Sequence, residues 1–223
     1  MKFYTLFFLF SCFLVGSQTP VSKSIGDFSE LKVYDLINVE LVESNENKIE
    51  ITGEETSNVL IVQKNDVLKI KMVLNKPFNG KRTFVKLFYK KIDIIDVNEG
   101  AKVVSKSLFK QYELELKAQE GGEISVITDT KLLSIKTVTG GIINASGTTG
   151  SQNITIRTGG VYEGSSLQAL NSEIKIKAGG VADVKSSQLI EVRIVAGGDL
   201  IIHGKPKNIK QTKIVGGRII YKD

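Results

Sequence analysis

After residue 20 the chain alternates apolar and polar residues over many short segments, which is the pattern of β-strands with one buried face. The clearest segments before residue 90 are 31–33, 39–41, 48–51, 68–72 and 85–87. Turn-forming residues separate them, and no stretch repeats apolar residues at the 3.6-residue period of an amphipathic helix. The pattern therefore predicts an all-β protein.

From about residue 112 onward, pairs of glycines recur at nearly constant spacing. The six pairs are Gly121-Gly122, Gly140-Gly141, Gly159-Gly160, Gly179-Gly180, Gly197-Gly198 and Gly216-Gly217. The steps between them are 19, 19, 20, 18 and 19 residues. A repeat this short and regular is typical of a solenoid, in which each coil packs against its neighbours.

Positions at a fixed distance from each glycine pair share one character, and we refer to such a set as a column. The fifth position before the pair holds Leu116, Ile135, Ile154, Ile174, Val192 and Gln211. The second position after it holds Ile124, Ile143, Tyr162, Ala182, Leu200 and Ile219, and the fourth holds Val126, Ala145, Gly164, Val184, Ile202 and Tyr221. Polar residues alternate with these columns, so we expect the columns to be buried, with Gly164 making room for Tyr162.

One repeat has a contour of roughly 60 Å, which suits a coil of two or three short strands. The glycine pairs are expected to form the turns, because glycine reaches positive φ without a Cβ clash. The predicted fold is an N-terminal β-sheet region, residues 18–110, leading into a parallel β-helix (solenoid) with coils of about 19 residues over 111–223. A single continuous domain over 18–223 is the alternative.

The first 17 residues have the features of a signal peptide: Lys2, then a short apolar stretch, then Gly16 and Ser17. We expect cleavage after Ser17 or Gln18 and export to the periplasm, the outer membrane surface or the medium. Lipid anchoring at Cys12 is an alternative, and it would leave apolar residues 13–15 beside the lipid.

Composition limits the chemistry. The 223 residues are 41% hydrophobic and 24% charged, with one Cys and one His, so a disulfide framework within the chain and a Cys/His zinc site are excluded. The glycine pairs lack the following helix of a phosphate or dinucleotide site, and we expect no cofactor. The formal charge of +6 would suit nucleic acid, but predicted export argues against it.

The sequence resembles the head GIN domain family of putative auto-transporter adhesins from Bacteroidetes-type bacteria. The resemblance is carried by 139–143, 158–161, 178–181 and 196–200, by the terminal stretch 202–206 and by the opening 28–42. It covers residues 25–223, and it implies a β-helix-like fold, a surface or envelope location and no catalytic residues. The family often has Ser-Gly-Ser-Gly-Asp at its turns, whereas this chain has bare Gly-Gly.

Four outward cations would form a stripe along the coils, interrupted at Thr155: Lys117, Lys136, Lys175 and Arg193. Such a stripe could bind an acidic polysaccharide or lipopolysaccharide. The alternative interpretation is a solvated face with lysines that discourage edge pairing.

A second basic cluster surrounds the turn 77–80 and comprises Lys76, Lys81, Arg82, Lys86, Lys90 and Lys91. Phe78 and Arg82 are the candidate binding residues here, because an exposed aromatic at a loop tip commonly contacts partners. The alternative is a solvated hairpin with Phe78 folded onto the sheet.

Two carboxylates, Glu163 and Asp183, should lie on adjacent coils, about 5 Å apart at the backbone. They could bind Ca²⁺ together with Asn144, or act as acid and base on a glycosidic bond. The alternative is that they are solvated and splay apart. His203 is interpreted as structural, because no nucleophile motif accompanies it.

The last coil carries Ile214, Ile219, Ile220 and Tyr221. An uncapped coil exposes unpaired backbone groups, so we expect it to dock against a second copy or an envelope protein. The predicted function is a non-enzymatic, exported adhesin or envelope-binding scaffold. A β-helix carbohydrate-active enzyme, of the polysaccharide lyase or hydrolase type, is the alternative, and a purely structural envelope component is a third.

Overall fold

A computed structural model describes residues 20–222, so the signal-peptide and lipid-anchor predictions fall outside the described residues. The strands are β1 (Val21–Ser24), β2 (Glu30–Val33), β3 (Asn38–Glu43), β4 (Lys48–Gly53), β5 (Val59–Lys64), β6 (Val67–Met72), β7 (Thr83–Tyr89), β8 (Ile94–Val97), β9 (Lys102–Gln119), β10 (Glu123–Val138), β11 (Ile142–Arg157), β12 (Val161–Lys177), β13 (Val181–Ala196), β14 (Asp199–His203), β15 (Asn208–Val215) and β16 (Arg218–Lys222). A single 3₁₀ turn, Thr56–Asn58, lies between β4 and β5. No helix among residues 20–222 is long and apolar enough to cross a membrane.

Strands β9 to β13 each run once around a coil and pair in parallel with the next. Ile154 pairs with Ile135 and Ile174, and Ile174 pairs with Val192, as the glycine spacing predicts. These side chains are at most 2% exposed. The β-solenoid has about seven turns of about 19 residues, so the predicted fold is confirmed.

The strands before β9 belong to the same solenoid. β2 pairs in parallel with β6 and β8, and β3 pairs in parallel with β7 and β9. The coil formed by β6 and β7 therefore stacks outside the coil formed by β2 and β3, although it comes later in the chain. β9 passes without interruption through residue 110, where the sequence suggests a boundary.

The two ends of the solenoid differ. At the N-terminal end, β4 and β5 pair antiparallel with β7 and β6, and β1 pairs antiparallel with β4. At the other end, β15 and β16 have one paired side within the described residues. Tyr221 was expected to be buried with its column, and this is wrong: it is 59% exposed, because no further described coil stacks on β16.

The core contains a chain of polar contacts that alternation did not predict. The buried Tyr162 hydroxyl donates to Gln152 Oε1 at 2.7 Å, and Gln152 Nε2 donates to Ser172 Oγ at 2.7 Å. Ser172 Oγ in turn contacts Ser186 Oγ. Gly164 does make room for Tyr162, since a Cβ there would lie 2.6 Å from the ring.

The glycines of one turn have different roles. Thr139 and Gly140 both have positive φ, 48° and 72°, and Gly141 N–H donates to Val138 O at 3.0 Å, which closes a tight turn. A Cβ on Gly140 would meet no atom within 4 Å, whereas one on Gly141 would lie 2.1 Å from Ala118 O. Gly140 is therefore favoured by the backbone conformation, and Gly141 is required by the close approach of Ala118 on the preceding coil.

The pair allows a stability test. We expect Gly141→Ala to lower the free energy of unfolding by about 2 kcal/mol or more, because the backbone of two coils must separate. Gly140→Asn should cost about 1 kcal/mol or less, because Asn tolerates positive φ and space is open. Urea denaturation measures both, and equal losses would contradict this account of the turn.

The buried Tyr89 is expected to make the stability of the protein depend on pH in the alkaline range. Its ring is 3% exposed and stacks on Phe109 with centroids 5.5 Å apart. Burial, with a smaller contribution from the Glu43 carboxylate, raises the pKa of Tyr89 to about 12. The raised pKa belongs to the folded state, so folding favours the protonated phenol of Tyr89. The contribution of this group to the free energy of unfolding is complete below pH 10 and is lost as the pH rises towards 12.

We therefore expect the free energy of unfolding to fall between about pH 10 and 12, and Tyr89→Phe to reduce that slope. Burial also raises the pKa of Tyr162, so part of the slope should remain. Tyr112→Phe, at a ring that is 74% exposed, is the matched control. Urea melts across this range give the slopes, and an unchanged slope in Tyr89→Phe would overturn the assignment.

Candidate functional site

The four predicted cations lie in one column on the outer surface. Lys117 pairs in register with Lys136, Lys136 with Thr155, Thr155 with Lys175, and Lys175 with Arg193. Neighbouring strands lie about 4.8 Å apart, so the side chains leave the surface at that interval. The alternating strands hold these positions outward because the residues on either side of each one are buried.

The column extends into the N-terminal coils by three further positions, two lysines and an aspartate, which the sequence analysis missed. Lys117 pairs with Asp96, Asp96 with Lys32, and Lys32 with Lys69. We call these eight register positions the basic column: Lys69, Lys32, Asp96, Lys117, Lys136, Thr155, Lys175 and Arg193. Its seven steps span about 34 Å. The signal was the repeated apolar-Lys-apolar triplet at 31–33, 68–70 and 116–118.

Three of the lysines are paired with a glutamate two residues earlier on the same strand. The distances from ammonium to carboxylate are 2.9 Å for Lys32 and Glu30, 3.1 Å for Lys117 and Glu115, and 2.6 Å for Lys175 and Glu173. Lys32 also lies 3.3 Å from Asp96, and the hydrogen bond to Glu30 is the main reason its pKa is raised.

The glutamates form a column of their own, which is interrupted in the middle of the solenoid. Glu115 pairs with Ser134, Ser134 with Asn153, and Asn153 with Glu173. Lys136 is adjacent to this interruption, and within residues 20–222 no carboxylate lies within 4.0 Å of its ammonium group. Positive charge is therefore least compensated around the middle coils.

Two further cations enlarge this region. Arg157 pairs in register with Lys177, and each lies two residues beyond the basic column on the same face. In the described part of the chain neither has a carboxylate within 4.0 Å, and the same holds for Arg193. We call the following five residues the basic patch: Lys136, Arg157, Lys175, Lys177 and Arg193. It can bind a multivalent anion through side chains on four successive coils.

The second predicted cluster does not come together. Arg82 contacts Glu54, and Lys86, Lys90 and Lys91 lie 3.9 Å, 2.9 Å and 2.8 Å from Glu40, Asp27 and Asp93. Lys90 and Lys91 follow β7 and lie at its far end from the loop, about 20 Å away. Phe78, by contrast, is 58% exposed and is not folded onto the sheet.

The predicted carboxylate pair is adjacent, since Glu163 and Asp183 are register partners. Asp183 Oδ1, however, lies 2.6 Å from His203 Nε2, and both atoms are buried. Glu163 lines a groove of about 300 Å³ together with Ser125, Asn144 and Ser146. No group of three His, Cys, Asp or Glu residues among 20–222 is arranged to hold a metal ion.

In the last coil, Ile214 and Tyr221 are 55% and 59% exposed. β15 and β16 present an unpaired strand edge in the part of the molecule described. Docking of this edge on a second copy or on an envelope protein stays a prediction.

The sequence model of the family described as "Putative auto-transporter adhesin, head GIN domain" matches residues 27–206. No curated protein matches the sequence. Several solved structures have a similar fold. A putative adhesin from Bacteroides fragilis is 15% identical, with 92% of this chain and 98% of that chain covered and a TM-score of 0.83.

Two structures from Parabacteroides distasonis are also similar, each over 93% of this chain and 98% of their own. One is a putative adhesin with 17% identity and a TM-score of 0.72. The other is a putative lipid binding protein with 19% identity and a TM-score of 0.68. At these identities the likeness shows the fold alone.

Proposed function

Because this chain belongs to the family of putative auto-transporter adhesins with a head GIN domain, we propose that it is an exported, non-enzymatic adhesin that binds an anionic polysaccharide at the basic patch. The observation that carries the proposal is that four cations of the basic patch, on four successive coils, have no carboxylate within 4.0 Å among residues 20–222: Lys136, Arg157, Lys177 and Arg193. The adhesin-like β-solenoid supplies the rigid face on which they stand.

The geometry suits an extended polyanion better than a compact one. The basic patch crosses four coils, about 14 Å, with two cations on the coil of Lys175 and Lys177. Long side chains allow each ammonium or guanidinium to adjust by a few ångström to the spacing of the acidic groups. The strands beneath do not have to order on binding, which removes one entropic cost.

Several contacts in a row are needed for useful affinity. A single exposed charge pair contributes about 0.2–1 kcal/mol, and salt screens it. Contacts on one chain molecule act together, because the first contact raises the effective concentration for the next. The interruption of the glutamate column matters here. At Ser134 and Asn153 no glutamate competes with the bound anion for the neighbouring cations.

Nothing in the described residues or in the comparisons favours the alternative of a polysaccharide lyase or hydrolase. Acid-base work on a glycosidic bond requires two carboxylates facing one bond. Asp183 faces His203, and Glu163 lines its groove with hydroxyl and amide groups. That groove can hydrogen-bond a hydroxylated ligand without performing chemistry on it.

The proposal is tested with purified protein on an array of anionic and neutral glycans. The triple variant Lys136→Gln, Arg157→Gln, Arg193→Gln should bind the best anionic glycan about 30-fold more weakly at about 0.1 M salt, because three uncompensated contacts are lost. Titration calorimetry or biolayer interferometry measures the change.

The control variant is Lys110→Gln, Lys131→Gln, Lys185→Gln, which removes three exposed charges elsewhere. We expect it to weaken binding by less than about threefold, because only the long-range field changes. Equal losses in the two variants, or wild-type protein that does not prefer anionic over neutral glycans, would refute the proposed site.

A further inference from the structure

The loop between β6 and β7 carries an exposed apolar tip, which we define as Leu74, Pro77 and Phe78. Leu74 is 89% exposed and Phe78 is 58% exposed. With Tyr34 and Met72 they border a cavity of about 330 Å³, whose rim includes Lys69 and Lys71. We propose that this tip inserts into the surface of an anionic lipid bilayer, a function independent of the polysaccharide site.

The tip is held in place by a buried carboxylate. Asp35 Oδ2 accepts a hydrogen bond from Met72 N–H at 2.9 Å, and Asp35 Oδ1 accepts one from Phe78 N–H at 3.0 Å. Gly80 N–H donates to the Asp35 carbonyl oxygen at 3.0 Å. One residue thus fixes the start, the middle and the end of the loop.

The conformation of Phe78 shows that this presentation is costly. Its φ is 57°, in the left-handed region that bulky side chains rarely occupy. Strain of this kind persists where surrounding contacts determine it, and such sites are often functional. Here the contacts with Asp35 keep an aromatic ring in solvent, although the folded state would be favoured by burying it.

The charges around the tip select the partner. Lys69, Lys71 and Lys81 lie near the tip, and no carboxylate of the described chain is within 4.0 Å of their ammonium groups. The acidic residues in the cavity wall are Asp35, whose oxygens accept backbone N–H groups, and Glu99, whose burial raises its pKa. Apolar side chains ringed by lysines suit the boundary between acyl chains and lipid phosphates.

The position of the tip is compatible with the basic column. Lys69, which lines the same cavity as the tip, is the first member of that column and lies about 34 Å along the stack from Arg193. A tip that rests on a bilayer therefore leaves the basic patch accessible.

The chain contains no Trp, so Phe78→Trp introduces a single fluorescent reporter. With vesicles containing phosphatidylglycerol, we expect a blue shift of its emission and quenching by brominated acyl chains. Vesicles of phosphatidylcholine alone should give neither effect at about 0.1 M salt, because the lysines then lack anionic partners.

Leu170→Trp is the matched control, because Leu170 is 51% exposed and lies on β12, several coils away from the tip. Its emission should not change. Binding through the apolar residues 1–17 would leave the Phe78→Trp emission unchanged, so the emission distinguishes that mode of membrane binding from insertion of the tip. The absence of a shift in the Phe78→Trp variant, or equal shifts in both variants, would overturn the proposal and direct attention to a protein partner.

A second variant tests the energetics. Leu74→Ser with Phe78→Ser should lower partitioning onto phosphatidylglycerol vesicles by about tenfold or more, since two apolar side chains no longer leave water. The same variant should bind anionic glycans as the wild type does, so failure of one proposal does not entail failure of the other. Unchanged sedimentation with vesicles would contradict insertion by the tip.

Discussion

The constraint on which this structure depends is the residue-for-residue hydrogen bonding between parallel coils. Each outward side chain is tied to its equivalents on the coils above and below, about 4.8 Å away. The aliphatic columns fix this register, because a slip of one residue would move Ile154 and Ile174 into water and charges into the core. A residue type that recurs at the same outward position of each repeat therefore forms a straight row of side chains across the coils, and the basic column is such a row.

The same hydrogen bonding between coils determines where turns and loops can lie. A stacked coil closes with a turn of two or three residues, such as the one at Gly140. It accommodates extra residues either as a bulge within a strand, as between Gly164 and Gln168, or as a loop that leaves the stack. The connection between β6 and β7 is a loop of the second kind, at the outermost parallel coil. The antiparallel strands β4 and β5 cover that end, whereas β15 and β16 leave the opposite end open in the described residues.

Sequence periodicity predicted the coils after residue 112 because chain order and spatial order coincide there. It did not predict that Lys32 and Lys69 join the basic column, since β6 and β7 stack outside β2 and β3. Gln152 and Ser172 lie two residues before Ile154 and Ile174 and therefore share their inward face, but only the coordinates show that the two polar side chains are hydrogen-bonded to each other in the core. Phe78 was found as a loop aromatic, but its fixation by Asp35 required coordinates.

The ion pairs on the outer face decide which cations remain free to bind. A lysine with a glutamate two residues earlier, as in 30–32, 115–117 and 173–175, can be neutralised within its own strand. The middle coils carry Ser134 and Asn153 in place of that glutamate, so Lys136 keeps its charge, and the coil of Thr155 contributes Arg157 instead. Since the backbone spacing is uniform along the ladder, the difference between a neutral and a binding segment arises from this substitution of side chains. Specificity for an anionic chain thus depends on the absence of the glutamate from particular coils as much as on the presence of a cation.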